Sequence, residues 1–115
     1  MGLGKIRGQL LKGTTPLLVL SVLRDGELYG YEIAQRVRER SGGAFAPSEG
    51  ALYPALHSLE AEGALQATWR DSDKGPRRRY YKITDIGKGI LADQEREWSA
   101  FSLGVARALG GPSND

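Results

Sequence analysis

Residues 48–82, SEGALYPALHSLEAEGALQATWRDSDKGPRRRYYK, constrain the fold more than any other stretch of the chain. Leu52, Leu56 and Leu59 recur at spacings of four and three, which predicts a helix with one buried face. Ser48 follows Pro47 and suits the N-cap, and Gly63 suits the stop. Leu65, Ala67 and Trp69 then alternate with polar residues, as do Tyr81 and Ile83, so two strands joined by a turn containing Gly75-Pro76 predict a hairpin. A helix followed by a β-hairpin excludes a purely helical bundle. It requires a sheet, however small, against which the helix can bury its leucines.

Charge separates along the chain. Residues 66–84 hold six basic side chains against two acidic ones, whereas residues 85–115 hold three basic and five acidic ones. Net charge is only +2, so the cations matter by position. Lys74, Arg77, Arg78 and Arg79 fall on or near the hairpin turn and suit an anionic partner. A helix of groove-filling width beside a cationic ribbon suits duplex DNA, whose phosphates are uniformly negative.

Upstream, Thr14 or Thr15 can cap a helix with Pro16 at its first position. Leu17, Leu18, Leu20, Val22 and Leu23 follow, and Asp25-Gly26 ends the helix; residues 5–12 read as a separate lead-in. A second helix spans about Tyr29 to Arg40, with Ile33, Ala34 and Val37 inward and Gly42-Gly43 as its stop. Pro54 removes a backbone bond to Gly50 and predicts a bend in the third helix. Thr84-Asp85 opens a long last helix on which Leu91, Trp98 and Val105 lie seven apart, with Phe101 and Ala108 three beyond two of them. That a/d rhythm predicts a pairing seam between two copies.

The fold expected is therefore mainly α with a small β-hairpin: a winged helix-turn-helix over residues 1–84, a dimerisation helix over 85–110 and a frayed tail over 111–115. At 115 residues there is room for one domain and little more. The chain has no cysteine, which excludes disulfides and thiolate catalysis and fits a reducing compartment. The run from Leu17 to Leu23 is too short to span a bilayer, and no cleavage site follows it, so the expected setting is the cytoplasm. One histidine, and no HExxH or phosphate-binding glycine loop, argue against an enzyme, a resident metal or a cofactor.

Four segments, KGTTPLLVLSVL, LYGYEIAQRV, SEGALYPALHSLEAEGAL and GPRRRYYKITDIGKGIL, resemble in this order the PadR family of bacterial transcriptional regulators. The resemblance spans about Lys12 to Leu109. The single C-terminal helix is similar to that of the small subfamily, whose members are homodimeric repressors released from DNA by small molecules.

The resemblance implies DNA contacts from the third helix through Ser48, Gly50, Ala51, Tyr53 and His57, from Tyr31 at the start of the second helix, and from the four basic wing residues. It implies a seam of Leu91, Trp98, Phe101, Val105 and Ala108. A small planar aromatic effector would stack on Trp98 beside Leu17, Leu20, Ser21 and Arg24, with Arg24, if it faces inward, opposing cations. Each has a plainer reading: Tyr53 as partial core, His57 as solvated, and Trp98 as dimer core. The partners expected are double-stranded operator DNA and a second copy of the chain. A winged-helix module binding protein instead of DNA, or a repressor without a ligand, are the alternatives.

Overall fold

The computed structural model describes residues 3–111, with side chains from residue 8 onward. Its elements are α1 (Leu3–Leu23), β1 (Leu28–Tyr29), α2 (Gly30–Arg40), α3 (Glu49–Ala61), β2 (Leu65–Ser72), β3 (Gly75–Ile83) and α4 (Asp85–Ala108). The expected tail at residues 112–115 lies outside the described residues.

The first helix corrects the sequence reading. α1 is continuous from Leu3, and Pro16 sits inside it instead of at its start. Proline there removes the bond to the Lys12 carbonyl. The preceding threonines do not cap; their hydroxyls donate back one turn, Thr14 to the Leu10 and Leu11 carbonyls and Thr15 to Leu11 at 2.8 Å. Burial of Val19, Leu20, Val22 and Leu23 anchors the helix. Pro54 likewise lies within α3, whose buried Leu52, Ala55, Leu56 and Leu59 hold it against the core.

The sheet is larger than a hairpin. β1, only two residues long, pairs with β3, giving an antiparallel sheet of order β1-β3-β2. Leu28 lies opposite Tyr81 and Tyr29 opposite Tyr80. The wing strands also run further than expected, and the turn is Asp73-Lys74, with Ser72 paired to Gly75. Gly75 takes φ +134°, which a side chain rarely adopts. One sheet face carries Leu65, Ala67, Tyr81 and Ile83 toward the helices. The other carries Thr68, Arg70, Arg78 and Tyr80.

The core unites α1, α2 (Ile33, Val37), α3, the inner sheet face and Leu91 of α4. Leu91 is 3% exposed there, so it belongs to the protomer's own core and cannot form part of a pairing seam. α4 docks through a close approach at Gly87, beside the corner between α3 and β2. Thr84 caps it, accepting from the Gly87 N–H at 3.1 Å and donating to the Gly63 carbonyl at 2.6 Å. Beyond Leu91 no residue of α4 is buried.

Candidate nucleic-acid interface

α3 begins at Ser48, whose hydroxyl oxygen accepts from the Ala51 N–H at 3.3 Å. Its oxygen is thus engaged in capping, and its proton is left to donate outward. Gly50, Tyr53 and His57 are exposed along the face opposite the leucines, and Ala51 is half-buried. The hydroxyl end of the Tyr53 ring packs against the start of α2: a Cβ at Gly30 would sit 2.7 Å from its hydroxyl oxygen. Gly30 therefore sets the seat of an aromatic side chain on the outer face of α3.

The start of α2 is organised around Tyr29, whose N–H donates to the Glu32 carboxylate at 3.2 Å. Tyr31 is exposed, and its hydroxyl accepts from Gln35 at 2.9 Å. That bond leaves the phenolic proton free to donate outward. The strand Leu28–Tyr29 was not legible, since nothing in the sequence separates LY from the helix that follows.

The wing differs in detail from the sequence expectation. Lys74 is at the turn, but Arg77, Arg78 and Arg79 lie along β3 and point to alternate faces. Arg79 is bound to Glu60 of α3 at 2.7 Å, half-buried, with Trp69 and Tyr81 beside it. The expected grouping of all four cations at the wing tip is corrected accordingly: only Lys74 is at the turn, and Arg79 ties the wing to α3. Arg77 faces Asp71 at 3.4 Å and lies over Trp69. Arg70 pairs with Glu27 and lies 4.5 Å over the Tyr80 ring. Arg78 lies 4.5 Å over the Tyr29 ring. Tyr81 is buried beside Arg79. Burial raises its phenol above the ordinary value, and the Arg79 charge opposes that rise.

The expected effector residues separate. Leu17 and Trp98 meet across a cleft of about 370 Å³ that is also lined by Gly13, Thr14, Pro16, Gln94, Glu97 and Phe101. Leu20 is fully buried in the core, Ser21 offers its carbonyl to Arg40, and Arg24 pairs with Glu95 at 2.8 Å. These three do not line the cleft, and Arg24 does not guard it against cations; its charged residue is Glu97. The Gln94 side-chain oxygen is buried with no hydrogen-bond partner. Trp98, Phe101 and Val105 are exposed along α4 with Ala108, continuing the heptad line beyond Leu91.

Among the described residues no helix is long and apolar enough to cross a membrane, and no cluster of acidic or histidine side chains is arranged to hold a metal.

Comparison with known proteins agrees with this geometry. Residues 19–93 match the model of the transcriptional regulator PadR-like family. The chain is 36% identical over 98 residues to the transcriptional regulator Rv3488 of Mycobacterium tuberculosis, covering 85% of each. Among solved structures it is similar to a PadR family transcriptional regulator from Eggerthella lenta (30% identity, TM-score 0.79, 92% of this chain and 90% of that one). It is also similar to Bacillus subtilis PadR in complex with operator DNA (30% identity, TM-score 0.62), over 69% of this chain and 45% of that one.

Proposed function

The chain belongs to the PadR-like family of transcriptional regulators, and from that premise we propose that it is a homodimeric, DNA-binding repressor acting in the cytoplasm. The observation that carries this reading is a set of three contacts: Tyr53 on Gly30, Arg79 on Glu60 and Arg78 on Tyr29. They join the outer face of α3, the start of α2 and the cationic wing into one contiguous surface. α3 enters a major groove, presenting Ser48, Gly50, Tyr53 and His57. The wing follows the adjacent backbone or minor groove through Lys74, Arg77 and Arg78. The outer face of α3 carries no arginine, so backbone contacts and DNA shape supply much of the specificity. Bacillus subtilis PadR, to which the chain is similar, was solved in complex with operator DNA, which supports DNA as the partner.

Residues 1–84 form the DNA-binding unit, and α4 supplies the dimer contact. Trp98, Phe101 and Val105 form an exposed apolar line that a monomer has no use for, and a second α4 covers it. A two-fold dimer reads a pseudo-palindromic operator with half-sites about 34–36 Å apart, or a multiple of that. An operator in the chain's own promoter makes the repressor autoregulatory. The cleft beside Trp98 takes a small planar aromatic effector. The unpartnered Gln94 oxygen and the Glu97 carboxylate favour one that carries hydrogen-bond donors. It releases DNA by preferring a dimer whose two α3 helices are wrongly spaced.

Hydroxyl-radical footprinting on the chain's own upstream DNA tests the proposal. The expected result is two protected patches related by two-fold symmetry at the spacing above. A single patch, or protection no different from that on unrelated DNA, overturns it.

A further inference from the structure

Arg70 and Arg78 are direct cross-strand partners of β2 and β3. Like charges placed opposite each other destabilise a sheet, so this pair requires compensation. Two tyrosines supply it, Tyr80 beneath Arg70 and Tyr29 beneath Arg78, each 4.5 Å from the guanidinium carbon. Arg70 has a second partner, the Glu27 carboxylate. Arg77 has Asp71, and Arg79 has Glu60. Among the described residues Arg78 has no carboxylate partner. Of the four wing arginines, it is the one whose charge is held in place yet left unneutralised.

Tyr29 is itself fixed from several sides. Its backbone is bridged to Tyr80 in β1 and caps α2 through Glu32. Its ring meets Tyr80 edge-on at 5.4 Å and stacks on Tyr31 at 6.4 Å. A guanidinium lying on so fixed a ring loses little freedom on binding an anion, because that freedom is already spent. Tyr29 also directly precedes Gly30, the seat of Tyr53. The cation of the wing and the aromatic residue of α3 thus take their positions from adjacent residues.

We infer that Tyr29 is a positioning residue for DNA binding, holding Arg78 ready for a backbone phosphate, and that Arg78 is the wing arginine that carries this contact. The inference rests on the DNA-binding reading above. It concerns a sequence-independent contact, so a labelled random-sequence duplex suffices as the probe.

The test is the salt dependence of binding by the full chain. One phosphate contact contributes about 0.9 to the log–log slope, equivalent to a factor of about 3.5 in affinity between 50 and 200 mM salt. Arg78→Ala should flatten the slope by that amount, and Arg79→Ala by much less. Tyr29→Leu should match Arg78→Ala, the double variant should go no further, and Tyr29→Phe should restore the wild-type slope by keeping the ring face.

A purely structural role for Tyr29 would lower affinity without changing the slope, and that result overturns the inference. If Tyr29→Leu loses its fold, the side-chain Nε–H resonances of the unmodified protein decide instead. Arg78 should shift on adding duplex and Arg79 should not; the reverse overturns the inference. Wild-type protein that fails to bind the duplex at low salt would overturn the DNA-binding reading itself. Wild-type binding with slopes unchanged in both single variants would overturn only the role given to Tyr29 and Arg78.

Discussion

Gly87 is where α4 joins the DNA-binding unit, and replacing it with alanine should loosen that joint. A Cβ at this position would lie 2.3 Å from the Ala64 carbonyl oxygen and 2.8 Å from a side-chain carbon of Ile83. Reaching ordinary contact distance means moving α4 back by about 1 Å, which a packed core resists. The Ala64 carbonyl also accepts from the Thr84 N–H at 3.0 Å, and Thr84 caps the same helix. Overpacking costs about 1–3 kcal/mol, and a weakened cap costs about 1 kcal/mol more. Alanine's advantage over glycine in a helix returns about 1 kcal/mol.

The net expectation for Gly87→Ala is a loss of about 1–3 kcal/mol, read as a lower urea midpoint at fixed protomer concentration. Gly89, two residues on, faces open space, so Gly89→Ala should raise the midpoint by the equivalent of about 0.5–1 kcal/mol. The paired experiment separates helix propensity from packing. A midpoint for Gly87→Ala equal to or above wild type, with an unchanged m-value, would refute the packing argument.

Three further outcomes are expected. Gly30→Ala should push the Tyr53 ring outward, weakening operator binding in an anisotropy assay while leaving stability within about 1 kcal/mol, because the clash is with the far end of a movable side chain. Glu60→Gln should free Arg79 from its strut and strengthen binding to random duplex at low salt, steepening the salt slope by up to about 0.9. Tyr81 stays protonated in the folded chain to higher pH than in the unfolded chain. It therefore contributes stability that is full below the ordinary phenol value and lost as pH rises through the raised one. Tyr81→Phe should then lose less stability than wild type in urea melts carried out across the alkaline range.

What the sequence revealed follows from the length of each signal. α3 announces itself through Leu52, Leu56 and Leu59, its Ser48 cap and Gly63, and the structure has the helix at Glu49–Ala61. β1 has two residues, too few for any period, and is defined by pairing with Tyr80 and Tyr81 some fifty positions away; only tertiary structure reveals it. Thr-Thr-Pro has the composition of a helix start, and nothing local says that a preceding turn will run straight into Pro16.

The heptad on α4 is real as a pattern, yet its first member, Leu91, serves the protomer's own core. A repeat of seven cannot say which members the same chain has already claimed. The ion pairs of Arg79 and Arg24 were hidden for a related reason, because Glu60 and Glu95 are distant in sequence and adjacent in space. Charge partners of this kind decide which cations remain free, and they are invisible to composition.

The most direct test of the central claim is fluorescence anisotropy of the full chain on its own upstream DNA. It would be read at two salt concentrations with random duplex as competitor. Tight binding that weakens steeply with salt and survives the competitor is expected. Absence of binding even at low salt would contradict it, and would turn the cationic wing and the face of α3 toward a protein partner instead.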